Sequence, residues 1–267
     1  MRKSCPVILF FNSRLMKAMA SVVSPAMKEF AKFLIKKLPI AITKNQRYDR
    51  QTDLVISKVC QKDSSCIDVG CHKGEVLDIM LQYAPNGTHF GFEPIPDMYK
   101  SLTEKYGENC QFFEIALSDK KGETTFNLVL SNPAYSGIQK RRYDRPNEED
   151  TSITVQMDSL DNLIPEDANI DLIKIDVEGG ELGVLKGARN LINRSKPVVV
   201  FEHGLGAADV YGTKPEQVYD LLSGEYGMQV SLMKNWLMNK PSLEKTEFSR
   251  QFNEGENHYF IGYFESN

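Results

Sequence analysis

One stretch constrains this chain more than any other: Cys66-Ile67-Asp68-Val69-Gly70-Cys71-His72-Lys73-Gly74, a short apolar run that contains an acid and opens onto a loop with two glycines. It reads as a strand, a tight turn and the start of a helix. Glycine adopts backbone angles that other residues avoid and lets a ligand approach the main chain closely. Gly70 and Gly74 therefore suit a turn that touches a small molecule.

The flanking sequence places this turn in a repeating pattern. Residues 47–58 read as a helix whose Leu54, Val55 and neighbouring Val59 pack beside the first strand. Residues 75–83 read as a helix broken by Pro85-Asn86-Gly87, and 88–92 as a second strand ending at Glu93-Pro94. A helix over 96–106 follows, then a third strand over 111–115 leading into Ala116-Leu117-Ser118-Asp119. Strands alternating with helices argue for an α/β fold: a mostly parallel sheet with helices on both faces.

The alternation breaks after Asp119. Strands over 124–130 and 153–157 are joined by a long polar connection, 131–152, carrying Tyr135, Lys140, Arg141, Arg142, Tyr143 and Arg145. So long a connection reads either as a mobile flap over a site or as a solvated charged loop. The pattern then resumes with a strand over 170–175 ending at Asp176, a helix over 180–192, and a strand over 197–201 ending at Glu202-His203-Gly204. A helix over 216–222 and strands over 228–232 and 258–264 complete the expected elements.

Charge divides the 267 residues unevenly. Residues 1–50 hold eleven Lys and Arg against Glu29 and Asp49, leaving 21 basic and 34 acidic residues for the rest. An acidic body argues against nucleic acid as a partner, because that binding rests on neutralising phosphates. Residues 1–43 read as a basic amphipathic helical extension, and 44–267 as the main domain. The extension either contacts an anionic membrane surface as a peripheral segment or packs its apolar face on the domain or on a second copy in a homo-oligomer. No stretch has the apolar length of a membrane span. Five cysteines, an odd number without a C-x-x-C pair, suit a reducing cytoplasm, and Cys60, Cys66 and Cys71 read as packed side chains ahead of a metal site.

Ligands of open parallel sheets bind beyond the carboxyl ends of the strands, near the point where strand order reverses. Four acids are expected there: Asp68, Glu93, Asp176 and Glu202. Glu93 follows Asp68 by 25 residues, close to the spacing at which a second-strand acid meets ribose hydroxyls. The glycine pattern is G-x-x-x-G, which lacks the dinucleotide fingerprint and suits an adenosine cofactor without phosphates.

At this point the sequence resembles the FkbM family of S-adenosyl-L-methionine-dependent methyltransferases. The resemblance is carried by Ile67 to Gly74, Gly91-Phe92-Glu93-Pro94, Ala116-Leu117-Ser118-Asp119, the run Asp171-Leu172-Ile173-Lys174-Ile175-Asp176-Val177-Glu178-Gly179-Gly180-Glu181, and Leu185-Lys186-Gly187-Ala188. It implies a Rossmann-like class I methyltransferase with a seven-stranded sheet, its last strand antiparallel, and methyl transfer to a hydroxyl oxygen. By matching position, Asp68, Gly70 and Gly74 hold the methionine part of the cofactor, Glu93 the ribose and Ala116 the adenine, while Cys71 lines the pocket and Asp176 closes it. The acceptor implied is a small molecule or a glycan, with a sugar hydroxyl as the target.

A hydroxyl must lose its proton on the way, which calls for a positioned base or a metal ion. Asp176, Glu202 and His203 are the catalytic candidates, and Glu178 stands beside them. Asp176 and Glu202 also read as oxygen ligands for a divalent cation such as magnesium. Asp176 and Glu178 equally suit helix capping, and His203 equally suits a structural role. The alternative to an enzyme is a protein that keeps the fold and the cofactor but serves as a binding or scaffolding module.

Overall fold

The computed structural model describes residues 43–143 and 148–265. The extension expected over 1–43 lies, apart from Thr43, outside the described residues, as does Arg145. The chain divides into two units between Arg50 and Gln51, within helix α1 (Lys44–Val59), and all of the site described below lies in the second. Among the described residues no helix is long and apolar enough to cross a membrane.

The second unit is built on a seven-stranded sheet. Its strands are β1 (Cys66–Val69), β2 (His89–Phe92), β3 (Cys110–Phe113), β7 (Leu172–Ile175), β8 (Val198–Glu202), β9 (Gln229–Ser231) and β10 (Tyr259–Tyr263), in the spatial order β3-β2-β1-β7-β8-β10-β9. All pairs are parallel except those made by β10, which runs against both β8 and β9. The expected antiparallel last strand is therefore present, inserted one place in from the edge. Strand order reverses between β1 and β7, and open sheets of this kind bind ligands beyond the carboxyl ends of the strands at that point.

Short runs such as Cys66–Val69 and Leu172–Ile175 are buried along their whole length, as central strands covered on both faces require. Side chains alternate between the faces. Ile67, Val69, Phe90, Phe92, Ile173, Ile175, Val199 and Phe201 enter one continuous apolar core. Asp68, Gly91, Lys174 and Val200 are neighbours in register and share the other face. A buried acid and a buried lysine therefore stand side by side in adjacent strands.

Helices α2 (Glu75–Tyr83) and α3 (Pro96–Tyr106) connect the first three strands, α3 opening with Pro96 at the position where a missing N–H costs nothing. The expected third strand is split. β3 ends at Phe113, and Ile115 begins β4 (Ile115–Leu117), which leaves the main sheet for a small one with β5 (Gly122–Val129) and β6 (Asp150–Asp158) in the order β4-β6-β5. The two middle strands of the sequence reading belong to this second sheet. A short helix, α4 (Leu160–Leu163), leads back toward β7.

The single helix expected over 180–192 is two, α5 (Glu181–Lys186) and α6 (Arg189–Ser195). The break falls at Gly187, where the Ser118 carbonyl approaches so closely that a Cβ would overlap it. Beyond β8, α7 (Pro215–Tyr219) continues into a wider π-turn over Asp220–Glu225. Two helices were not expected: α8 (Met233–Leu237) and α9 (Lys245–Asn253), the latter burying Phe248 and Phe252 one turn apart.

Candidate active site

The turn after β1 is pinned to the end of β2, since the N–H groups of Gly70 and Cys71 both donate to the Phe92 carbonyl at 3.0 and 3.2 Å. Gly70 and Gly74 have φ of 78° and 77°, the left-handed region that glycine enters without strain. A Cβ on Gly70 would overlap the Asp176 carbonyl oxygen, and one on Gly74 would overlap the Tyr106 hydroxyl. Both glycines are thus needed for the path of the chain and its packing.

Glu93 fastens the same turn from the side. Its Oε2 accepts the His72 N–H at 2.9 Å and its Oε1 accepts the Ile95 N–H at 3.0 Å. Burial raises its carboxyl to about 7 against the pull of those two bonds. A carboxylate has about four lone-pair positions, so capacity for two further donors remains. His72, held by Glu93, has φ of 50°, unusual for a residue with a side chain.

Asp68 is fully buried in β1. Its Oδ1 lies 3.3 Å from the Lys174 ammonium, yet neither carboxylate oxygen takes part in a hydrogen bond within the described chain. Burial raises its pKa, with Lys174 opposing. Cys71 is buried beside it and its Sγ donates to the Asp68 carbonyl at 3.1 Å. Burial and then the Asp68 charge keep it a thiol. Ala116 is packed with Ile95, Phe126 and Val155 in the core of the small sheet, so its methyl is already covered by protein.

On the other side of the reversal point, Asp176 follows β7 and Glu202 ends β8. Their carboxylates, with that of Glu178, lie within 4.8 Å of one another. Asp176 Oδ2 accepts the Tyr259 hydroxyl and lies 3.7 Å from Lys174 Nζ. Burial works against the Asp176 anion, but Lys174, Tyr259 and Glu202 outweigh it and hold its pKa below the ordinary carboxylate range. Burial and the adjacent Asp176 push Glu202 well above its usual value. Within the pair Asp176 is the more acidic member and Glu202 the less acidic one.

Glu178 sits at φ 57° and is ion-paired with Arg141 from the long connection. The loop that carries it is held by Glu181, whose Oε1 accepts the N–H groups of Val177 and Gly179 at 3.2 and 2.9 Å. Glu181 is 1% exposed, and burial raises its carboxyl to about 7. Two of the three acids already have partners in the chain: Tyr259 and Lys174 on Asp176, and Arg141 on Glu178. A hard divalent ion here would have to take oxygens from Asp176, Glu178 and Glu202 in competition with these partners and complete its shell with water.

The connection over 131–143 lies close to these acids as a tethered strap. Arg141 pairs with Glu178, Arg142 pairs with Asp209, and the Gln139 N–H donates to the Tyr211 hydroxyl at 3.0 Å. Arg141 also stacks over the Tyr135 ring, 4.8 Å from its centroid.

His203 is placed differently from its neighbour Glu202. Adjacent residues of an extended strand point to opposite sides, and His203 is 1% exposed between Phe252 and Phe248, with ring centroids 4.5 and 6.0 Å away. Burial lowers its pKa to about 4. It is absent from the acid cluster, so the expected general-base role has no geometric basis, and the structural reading replaces it. Cys60 and Cys66 are buried with sulfurs 3.5 Å apart, packed as small apolar groups.

Three members of the site escaped the sequence reading as functional residues. Lys174 had a legible signal, since a charge inside the apolar run Leu172–Ile175 needs buried counter-charges. Tyr259 reaches Asp176 only because β10 packs against β8, which no local pattern announces. Arg141 was one charge among several on a polar connection.

A seven-stranded sheet with its late strand reversed, a glycine turn after β1 and acids at the ends of β2, β7 and β8 define a Rossmann-like class I methyltransferase. The model of the methyltransferase FkbM domain matches residues 68–230, and the chain belongs to that family. It is 26% identical over 190 residues to the 2-O-methyltransferase NoeI of Sinorhizobium fredii, covering 64% of this chain and 72% of that protein. It is 30% identical over 167 residues to the hexuronic acid methyltransferase AglP of Haloferax volcanii, covering 57% of this chain and 64% of that one. Among solved structures it is similar to the methyltransferase FkbM of Methylobacillus flagellatus, with a TM-score of 0.48 and 15% identity, over 76% of this chain and 44% of that one.

Proposed function

We propose that this methyltransferase transfers a methyl group from S-adenosyl-L-methionine to a hydroxyl oxygen of a sugar, in a glycan or a natural product. The observation that carries the reading is the cluster of Asp176 and Glu202 carboxylates at neighbouring strand ends, with Asp176 the more acidic of the two and a single lysine away from Asp68. Two relatives bear names that describe 2-O-methyl transfer and hexuronic acid methylation, which supports a sugar as the acceptor class.

The residues present fit the cofactor. Asp68 offers a buried carboxylate without a hydrogen bond, suited to a cationic amino group, and Glu93 has acceptor capacity for a ribose diol. The turn from Gly70 to Gly74 and the start of the small sheet around Ala116 in β4 would line the rest. When bound, the cofactor supplies a methyl group on a positively charged sulfur.

Asp176 is the group we assign to receive the proton of the acceptor hydroxyl, since it is the ionised member of the pair. Glu202, whose pKa is pushed up by burial and by Asp176, flanks that carboxylate, and Tyr259 fixes its orientation. Alignment of the acceptor by this wall accounts for several kcal/mol of barrier lowering in reactions of this kind, and general base action for about 10²–10⁴ in rate. The reading includes no divalent cation.

The test is methyl transfer from radiolabelled S-adenosyl-L-methionine to a panel of free and nucleotide- or lipid-linked sugars, with and without a chelator. Labelled sugar is expected at an unchanged rate in chelator and about 10²-fold or more slower for Asp176→Asn. Labelling that needs added magnesium, or that Asp176→Asn leaves intact, contradicts it.

A further inference from the structure

Lys174 occupies the middle of a buried parallel strand, where a charged side chain has no access to bulk water; its side chain is 8% exposed. Three oxygens from two sides of the site converge on its ammonium. The Gly70 carbonyl of the glycine turn lies at 3.1 Å, Asp68 Oδ1 at 3.3 Å and Asp176 Oδ2 at 3.7 Å. Asp68 and Gly70 belong to the side read above as the cofactor cradle. Asp176 belongs to the acceptor side.

One ammonium thus serves two carboxylates, the buried Asp68 and the partly exposed Asp176, that have different tasks. We propose that Lys174 is a positioning residue that couples occupancy of the cofactor cradle to the charge setting of Asp176. The inference rests on the reading of Asp68 as the cofactor's carboxylate. A cationic amino group arriving at Asp68 meets the charge that Lys174 otherwise balances, and the ammonium is then free to lean toward Asp176. If Asp176 is made neutral, the ammonium stays with Asp68 and opposes the incoming cation. Coupling of this kind is reciprocal, because both events draw on one charge.

The geometry explains why the lysine is placed on β7. In parallel register Asp68 is directly opposite Lys174, and Asp176 is two residues further along the same strand direction, on the same face. The Lys174 contact with Gly70 also fixes the turn, so the same side chain touches the cradle's backbone and its carboxylate.

The experiment is calorimetric titration of the full-length chain with S-adenosylhomocysteine, which carries the amino group and needs no acceptor. Four proteins are compared: wild type, Asp176→Asn, Lys174→Met and the double variant. Asp176→Asn is expected to weaken binding about fivefold or more when Lys174 is present, and by less than about twofold in the Lys174→Met background. Equal effects in the two backgrounds, or none in either, overturn the proposal, since a lysine that merely supports the fold gives additive changes. Where Lys174→Met does not fold, Lys174→Gln keeps a donor for Gly70 without the charge and carries the same comparison. The Nζ resonance of Lys174 in the lysine-labelled chain gives a reading without any lysine variant: it is expected to shift both with ligand and with Asp176→Asn, and constancy in either case overturns the coupling. A wild-type chain that does not bind the ligand contradicts the cofactor reading itself, a different result from binding without coupling.

Discussion

Tyr259, on the strand of the main sheet that runs against both its neighbours, gives its hydroxyl hydrogen to Asp176 at the end of a strand two places away. The bond crosses over Glu202, the register partner of Tyr259 on the strand between. A hydrogen bond to a charged acceptor typically contributes about 1.5–3 kcal/mol, and it favours the ionised form. Tyr259→Phe is therefore expected to raise the Asp176 pKa and move the acidic limb of the rate profile to higher pH, with the fold kept. The profile of kcat/KM against pH checks this; an unmoved limb contradicts the role given to Asp176.

Glu181 links stability to pH in an unusual direction. Its folded-state carboxyl is raised to about 7 by burial, so between the ordinary glutamate range and pH 7 the folded chain holds a proton that the unfolded chain has lost. Stability from this group is present at low pH and falls as pH rises toward 7, by about 3 kcal/mol at most. Glu181→Gln keeps the amide oxygen for the Val177 and Gly179 N–H groups and is expected to flatten that decline. Urea unfolding at pH 5 and pH 8 checks it; equal pH dependence in both proteins contradicts it.

The strap over 131–143 depends on Arg141, which joins Glu178 on one side and Tyr135 on the other. Both members of the ion pair are mostly buried, at 13% and 14% exposed, so the pair is less screened than a surface bridge. Arg141→Ala is expected to speed trypsin cleavage after Lys140 and Arg142 by about tenfold, as local opening becomes easier. An unchanged cleavage rate means that the strap is held by its other contacts.

His203 offers a control for the corrected assignment. Its ring is stacked on Phe252 and Phe248, and burial keeps it neutral down to about pH 4. His203→Phe is expected to preserve methyl transfer within about twofold while leaving the melting temperature close to that of the wild type, as apolar swaps of similar volume commonly cost less than about 1.5 kcal/mol. Loss of transfer with an intact fold would return His203 to the catalytic machinery.

Much of this architecture was legible in the chain. Apolar runs such as Cys66–Val69 and Val198–Glu202 have the length of buried strands and end against acids, so strand, turn and ligand edge could be placed together. What was not legible depends on partners distant in sequence. The step from β3 to β4 at Glu114 lies inside the apolar run 112–117, because the change of sheet is decided by β6, some forty residues on. The break at Gly187 reflects the close passage of Ser118. His203 looked like a base because of its residue type, while its surroundings come from α9, a polar stretch whose two phenylalanines gave too weak a period to call a helix. Asp176 and Glu202 were placed correctly at neighbouring strand ends, but the greater acidity of Asp176 follows from Lys174 and Tyr259, and those contacts exist only in the folded chain.

The central claim is that the turn from Asp68 to Gly74 and the acid at Glu93 form a cradle for S-adenosyl-L-methionine. Calorimetric titration of the full-length chain with S-adenosylhomocysteine tests it most directly, comparing wild type with Asp68→Ala and Glu93→Ala. The account predicts one saturable site in the wild type and no measurable binding in either variant, with both variants folded by circular dichroism. A wild type that releases no heat and shows no saturable binding, or variants that bind as tightly as the wild type, would contradict it.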